Sequence, residues 1–199
     1  MGRFEEVSRA EWLKRGVAIA AGVTSAGIVA GGFAPFASSA SPSSRDDEVL
    51  SLALAFEELQ SDFYAQASKS VQLHGDWREF AEVVGGHERD HVTFLKGKLG
   101  AAAKPAPQLR LTRAPTTLAE FQRLAIAFED TGVAFYNGQA GNLTPDTLAV
   151  AAEIVSVEAR HAAWARHLAG EIPAPVPTDP PADDTQVVHR LSQLGVTVG

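Results

Sequence analysis

The chain carries one residue pattern twice, and this repeat limits the folds that it can adopt. In each copy an apolar run ends in Ala-Phe-Glu, a tyrosine follows seven residues later, and a Glu-x-x-His sequence comes next. The glutamates are 31 residues apart in the first copy, Glu57 to Glu88, and 29 in the second, Glu129 to Glu158. Because residues three apart share one face of an α-helix, each copy predicts a pair of helices.

The repeated acidic and imidazole residues are candidate metal ligands. A carboxylate on the apolar face of a helix is costly to bury alone, and two in register need a common explanation. A pair of divalent cations supplies it, because cations offset clustered negative charge. The alternative is a bundle that keeps the pattern by descent but binds no metal. The predicted ligands are Glu57, Glu88, His91, Glu129, Glu158 and His161.

Composition narrows the class of protein. With 199 residues, of which 45% are apolar, the chain is long enough for one globular domain with appendages. Its formal charge of −7 argues against a nucleic-acid partner, which would require a basic face. The lack of cysteine excludes disulfides, zinc-thiolate sites and thiol catalysis.

Residues 1–40 have the features of an export signal. Arg9, Lys14 and Arg15 precede an uncharged stretch rich in glycine, alanine and valine, and small residues end it. We therefore expect an exported protein of the periplasm or cell envelope. A retained membrane anchor is the alternative, because the apolar run is long enough to span a bilayer.

Start and stop signals divide the following part into four long helices. We expect Asp76 and Glu79, and again Thr117 and Glu120, to form capping boxes, and Thr144 to be an N-cap. The expected helices cover about residues 44–73, 76–99, 117–139 and 145–170.

The segment between the second and third helices, residues 101–116, carries three prolines and no helical period. Extended, it reaches roughly 50 Å, whereas a helix of about 24 residues is roughly 36 Å long. We therefore predict an all-α four-helix bundle with one long crossover between helices 2 and 3. Residues 171–199 form a proline-rich arm with a short amphipathic helix, which could dock on the bundle or on a partner.

The ligand positions and the crossover together resemble the ferritin-like superfamily, over about residues 46–170. The resemblance implies a ferritin-like bundle at residues 44–170 that holds two Fe ions, with two Mn ions as the alternative. Outside the family, the residues alone would also allow zinc. The resemblance further implies terminal ligands Glu57 and Glu129, bridging ligands Glu88 and Glu158, and one imidazole for each ion, His91 and His161.

Residues beside the ligands need separate interpretation. Tyr64 and Tyr136 fall on the metal-facing side, either as hydrogen-bond donors to the glutamates or as ordinary core aromatics. Glu58 and Asp130 lie about 100° around the helix from their neighbouring ligands, so we expect them to be solvated or interhelical. His87 has no counterpart in the second copy, and we assign it no role.

Three functions fit these observations. The first is an exported di-iron protein that oxidises Fe(II) or reduces a small-molecule oxidant, oxygen or peroxide. The second is a non-catalytic binding or structural module of the envelope, related to stress or desiccation, and the third is a dimanganese catalase-like enzyme. Membrane association through the N-terminal segment and a homodimer stay open.

Overall fold

A computed structural model describes residues 44–100 and 107–198 of the chain. Its long helices are α1 (Ser44–Ser70), α2 (Gly75–Leu99), α3 (Leu118–Gln139) and α4 (Pro145–Leu168). They pack as two hairpins, α1 against α2 and α3 against α4, and contacts of α1 with α3 and of α2 with α4 join the hairpins. The predicted all-α four-helix bundle with a crossover between the second and third helices is confirmed.

The start of α2 differs from the prediction. The helix begins at Gly75, which has a positive φ of 54°, and His74 stands at the N-cap position without a side-chain cap. Asp76 therefore lies inside the first turn, where its negative charge interacts favourably with the helix dipole but does not cap the helix. The predicted capping box of Asp76 and Glu79 is wrong, because the N-cap position falls on His74, two residues before Asp76.

The start of α3 is capped by two neighbouring threonines. The Thr117 hydroxyl accepts a hydrogen bond from the backbone N–H of Glu120 at 3.2 Å, as predicted. The Glu120 carboxylate reaches past Thr117 and accepts from the backbone N–H and the hydroxyl of Thr116, at 2.8 and 2.9 Å. The hydrogen bond from Arg113, with those from Thr116, lowers the pKa of Glu120 to about 2.

A buried aspartate of α1 caps α4. Thr144 is the N-cap residue and Pro145 begins the helix, as predicted. The Asp46 carboxylate, fully buried, accepts hydrogen bonds from the Thr144 backbone N–H at 3.0 Å, the Thr144 hydroxyl at 2.6 Å and the Thr147 hydroxyl at 2.9 Å. The start of the first hairpin is thereby tied to the start of α4 in the second hairpin.

Aromatic side chains fill the bundle core near the α1–α2 turn. Phe63 and Phe121 stack with ring centroids 5.6 Å apart, and Phe80 packs edge-on against Trp77 at 5.4 Å. Phe80 also contacts Trp164 of α4 with ring centroids 5.1 Å apart, so the cluster contains side chains from all four long helices. Such close packing holds the helices at fixed rotations, which is what a site with ligands on four helices needs.

The C-terminal arm docks on the bundle. It contains α5 (Asp184–Gln193), which packs on α3 and buries Val187 and Leu191. A final strand, β2 (Val196–Val198), pairs antiparallel with β1 (Leu109–Leu111) of the crossover. Of the two dockings that the sequence leaves open, the structure shows the one on the bundle. The strands escape sequence analysis because three residues are too few to show a period.

The N-terminal export or anchor prediction, residues 1–40, lies outside the described residues. Within residues 44–100 and 107–198, none of the helices combines the length and the hydropathy that crossing a membrane requires.

Candidate metal centre

The six predicted ligands lie together in the middle of the bundle. Their order along the chain distributes them over all four long helices, with Glu57 on α1, Glu129 on α3, and one Glu-x-x-His on each of α2 and α4. All four glutamates are 0% exposed, and the two histidines are 9% and 3% exposed. Four acidic side chains are thus enclosed in a small volume with only two imidazoles.

Nδ1 of His91 faces three of these carboxylates. It lies 3.1 Å from Oε2 of Glu57, 3.3 Å from Oε2 of Glu88 and 3.4 Å from Oε1 of Glu158. The glutamates come from α1, α2 and α4, so one imidazole nitrogen marks the point where three helices converge. The four residues offer ligand atoms that all lie within 4.8 Å of one another.

Nδ1 of His161 occupies the corresponding position on the other side. It lies 3.2 Å from Oε1 of Glu88, 3.2 Å from Oε2 of Glu129 and 3.7 Å from Oε1 of Glu158. These four residues form a second group whose ligand atoms lie within 4.8 Å. Glu88 and Glu158 belong to both groups, whereas Glu57 and Glu129 each belong to one.

Two buried oxygens show that hydrogen bonds alone do not satisfy the cluster. In the described part of the chain, Oε1 of Glu88 and Oε1 of Glu158 are buried and accept no hydrogen bond of acceptable geometry, although an imidazole Nδ1 lies 3.2 and 3.4 Å away, respectively. Buried polar atoms in native proteins nearly always have such a partner or a bound ion. Both atoms belong to the carboxylates shared by the two groups, so the donor set fits a dinuclear metal site.

The electrostatics of the cluster point the same way. Burial, followed by repulsion from Glu158, Glu129 and Glu57, raises the pKa of Glu88 well above its usual value. Burial and the charges of Glu57 and Glu129 likewise raise the pKa of Glu158. Without added positive charge, these carboxyls would retain protons, and cations at the centre would remove that penalty.

Each of the two tyrosines donates a hydrogen bond to a ligand glutamate of the other hairpin. The Tyr64 hydroxyl on α1 donates to Oε1 of Glu129 on α3, and the Tyr136 hydroxyl on α3 donates to Oε1 of Glu57 at 2.6 Å. Burial and the adjacent carboxylates raise both tyrosine pKa values well above 10, so the hydroxyls remain donors. The tyrosines are both core aromatics and hydrogen-bond donors, which combines the two roles that the sequence leaves open.

A family model described as a ferritin-like domain matches residues 45–171, well over half of the chain. The chain belongs to this family. A comparison with curated proteins finds no match.

The two sides of the ferritin-like centre are not equivalent. Nε2 of Gln60, one turn after Glu57, donates to Oε2 of Glu158 at 3.3 Å. The equivalent residue in the second copy is Gly132, where a Cβ would lie 2.8 Å from that same oxygen and 3.1 Å from the Phe56 ring. Gly132 therefore leaves the space that the Glu158 carboxylate occupies. Sequence analysis missed Gln60, although its position three residues after a ligand was a usable signal.

His87, to which sequence analysis assigned no role, also contacts the centre. Its Nδ1 lies 2.8 Å from Nε2 of His161, and the two rings stack with centroids 5.1 Å apart. Burial and the nearby imidazoles of His161 and His91 lower the pKa of His87. The signal for this role was its position one turn before His91, on the face that bears the ligands.

The acidic neighbours of the ligands point away from the centre. Glu58 pairs with Lys96 at 2.7 Å, and Asp130 pairs with Arg166. Each ion pair joins the two helices of one hairpin. Of the two expectations, solvated or interhelical, the structure shows the interhelical one. Glu58 and Asp130 therefore lie outside the buried cluster, although each directly follows a ligand in the sequence.

A surface recess of about 420 Å³ opens over the ligand imidazoles, between α2 and α4. Its wall contains His91 and His161, the side chains of His87 and Trp164, and the exposed Asp90 and Arg160. A small molecule in this recess would lie against both imidazoles. The recess is therefore a candidate route between solvent and the buried cluster.

Proposed function

We propose that this ferritin-like protein binds two iron ions and uses them to oxidise Fe(II) or to reduce oxygen or peroxide. The observation that carries the proposal is the pair of ligand groups that share Glu88 and Glu158. Two groups joined by shared carboxylates suit two ions at close spacing, where one isolated group would suit one. Carboxylate and imidazole ligands favour iron or manganese over metals that prefer thiolates.

The geometry suggests a role for each ligand. The carboxylates that belong to both groups would bridge the ions, and Glu57 and Glu129 would each bind one ion terminally. His91 and His161 would each bind one ion through Nδ1, since this nitrogen faces the carboxylates in both cases. The hydroxyls of Tyr64 and Tyr136 would hold the terminal carboxylates in orientation.

The proposed reaction balances with the ions alone as electron donors. Iron held by these residues would supply redox chemistry: oxidation of two Fe(II) to two Fe(III) would release two electrons, enough with two protons to reduce one peroxide to two waters or one dioxygen to peroxide. The small-molecule oxidant would enter through the recess above His91 and His161. The four glutamates are fully buried, so bulk water has no direct access to their carboxylates.

We also propose that the protein is exported to the periplasm or cell envelope. This rests on the basic start, apolar middle and small-residue end of residues 1–40. The intact mass of protein isolated from its natural host tests it. Protein that is recovered from the envelope fraction and lacks about 40 N-terminal residues supports export. Full-length protein in the cytoplasm contradicts it.

The test of the metal function is iron binding and oxidation by the full chain. We expect two iron ions per chain and growth of ferric absorbance when oxygen is mixed with the Fe(II)-loaded protein. Glu57→Ala and Glu158→Ala should abolish this oxidation and leave the helical circular dichroism in place. Glu58→Ala is the matched control, because Glu58 adjoins a ligand in sequence but pairs with Lys96 outside the centre.

Other outcomes select the alternatives. Both ligand variants oxidising iron at the parent rate would show that the assigned ligands are wrong. Native protein that contains manganese and releases oxygen from peroxide would indicate a catalase-like enzyme. Protein that binds neither metal would indicate a binding or structural module of the envelope.

A further inference from the structure

The two imidazoles of the centre have different surroundings at their outer nitrogens. Nε2 of His161 lies 2.8 Å from Nδ1 of His87. Nε2 of His91 has no hydrogen-bond partner among the residues that the structure describes. The position that corresponds to His87 in the second copy, four residues before His161, holds Val157, whose side chain cannot accept a hydrogen bond. Both residues line the recess.

Ligation fixes the direction of the hydrogen bond between the two histidines. Since Nδ1 of His161 faces Glu88 and Glu129, this nitrogen would bind the ion, and the proton of the neutral ring then resides on Nε2. Nε2–H of His161 would then donate, and Nδ1 of His87 would accept. A partner of this kind holds a ligand imidazole in one tautomer and one orientation and increases its basicity.

We propose that His87 is a positioning residue that makes the ion bound by His161 the more tightly held of the two. The inference rests on the proposed dinuclear function and deepens it. Both ions share the same bridging carboxylates, and each has one terminal glutamate that accepts from a tyrosine. The hydrogen bond at the outer imidazole nitrogen is present on one side alone in the described structure, so it distinguishes the ions.

The test is equilibrium titration of the metal-free full chain with Co(II) in the absence of oxygen, followed by visible absorption. We expect wild-type protein to bind two Co(II) ions in two resolved steps. His87→Val should weaken the tighter step by about 10–100-fold, the usual loss when a hydrogen-bond partner of a ligand is removed, and leave the weaker step unchanged. His87→Asn, which retains an acceptor near the same place, should restore most of the affinity.

Two further comparisons assign the effect to the imidazole contact. His87→Val should still weaken Co(II) binding in a His91→Ala background and should have no further effect in a His161→Ala background. Val157→Ala, which alters the recess wall at the equivalent position, should leave both steps as in wild type. Thermal unfolding of the metal-free variants should match the parent, because a role in folding alone would appear there.

Several results would overturn the inference. One is a His87→Val variant whose two Co(II) affinities equal those of wild type. A second is an equal loss of affinity in both steps. A third is an equal effect of His87→Val in the His91→Ala and His161→Ala backgrounds. In each of these cases the wild-type chain still binds two ions, so the dinuclear function survives. Failure of the wild-type chain to bind Co(II), Fe(II) or Mn(II) would instead remove the proposed function, and this inference with it.

Discussion

The first hairpin, α1 and α2, and the second, α3 and α4, agree at the centre of the bundle and differ around it. Each supplies two glutamates, one histidine and one tyrosine to the cluster, and each has an ion pair between its own helices. The surroundings differ at several equivalent positions, of which three bear on contacts of the centre or of the C-terminal arm. These pairs are Gln60 and Gly132, His87 and Val157, and Gln66 and Gly138.

The two hairpins share the residues that a metal site needs and differ in the residues that determine packing around it. Charge and ligand geometry must be matched around two ions, and there the hairpins repeat each other. Packing need not be matched, and in the second hairpin two glycines leave space that other parts of the chain fill. The Glu158 carboxylate lies against Gly132, and the backbone of Ala182 in the C-terminal arm lies against Gly138.

Gly138→Ala should break the attachment of the arm to the second hairpin. A Cβ at this position would lie 1.9 Å from the carbonyl oxygen of Ala182, which is backbone and cannot turn aside. If the arm leaves, Val187 and Leu191 lose their burial, which costs about 4 kcal/mol at about 2 kcal/mol for each side chain. Chemical denaturation of the metal-free protein measures this loss.

Gly97→Ala is the control for Gly138→Ala, because a Cβ at this α2 position meets nothing within 4 Å. It should leave stability unchanged or raise it by up to about 1 kcal/mol through helix propensity. Equal unfolding midpoints for the two variants would mean that the arm does not stabilise the bundle.

Asp46→Ala should loosen the joint between the hairpins. The carboxylate accepts one backbone and two hydroxyl hydrogen bonds from the start of α4, and alanine would leave these donors without it. We expect a loss of about 3 kcal/mol in the free energy of unfolding, typical of removing a buried charged acceptor. Asp47→Ala, one residue further along the same turn and half-buried, is the control. A loss no greater than in this control would contradict the capping role.

Gly132→Ala should weaken metal binding by displacing the Glu158 carboxylate. The added Cβ would meet Oε2 of Glu158 at 2.8 Å, and this carboxylate can move because it is the end of a flexible side chain. The Cβ would also lie 3.1 Å from the buried Phe56 ring, which must shift slightly, so we expect a loss of up to about 1 kcal/mol in the stability of the metal-free protein. The loss in metal affinity should be about tenfold, equal to about 1.4 kcal/mol. Metal titration beside thermal unfolding separates the two effects. Metal affinity equal to that of the parent would show that the position of Glu158 does not depend on this contact.

Much of the fold follows from patterns that lie within single helices. The repeat and the helix period give the bundle, and the prolines of residues 101–116 give the crossover, because each depends on spacing along the chain alone. Clustering of the acidic residues was likewise expected, since buried carboxylates require a common partner. The start of α2 was not, because a positive φ at Gly75 is as accessible to glycine as a helical one.

Contacts between helices were harder to predict. The hydrogen bonds of Gln60 to Glu158 and of His87 to His161 each join two helices. They depend on the height and rotation of one helix against another, which spacing within a helix does not determine. Gln60 and His87 also have no equivalent in the second copy, where Gly132 and Val157 occupy these positions. The repeat, which identifies the residues common to both copies, therefore gives no signal for them.

The smallest expected effect tests whether the hairpins are equivalent where they agree. Tyr64→Phe and Tyr136→Phe each remove one hydroxyl that donates to a ligand glutamate of the other hairpin and leave the buried ring in place. We expect each to lower the free energy of unfolding by about 1 kcal/mol, the usual net contribution of a buried hydrogen bond. Because phenylalanine retains the ring, the contacts with neighbouring aromatic side chains persist in both variants. The losses in the free energy of unfolding should therefore be similar for Tyr64→Phe and Tyr136→Phe. Denaturation of both variants and of the double variant measures them. A large loss for one tyrosine and none for the other would show that the two terminal carboxylates are held differently, and the asymmetry of the surroundings would then extend to the ligands themselves.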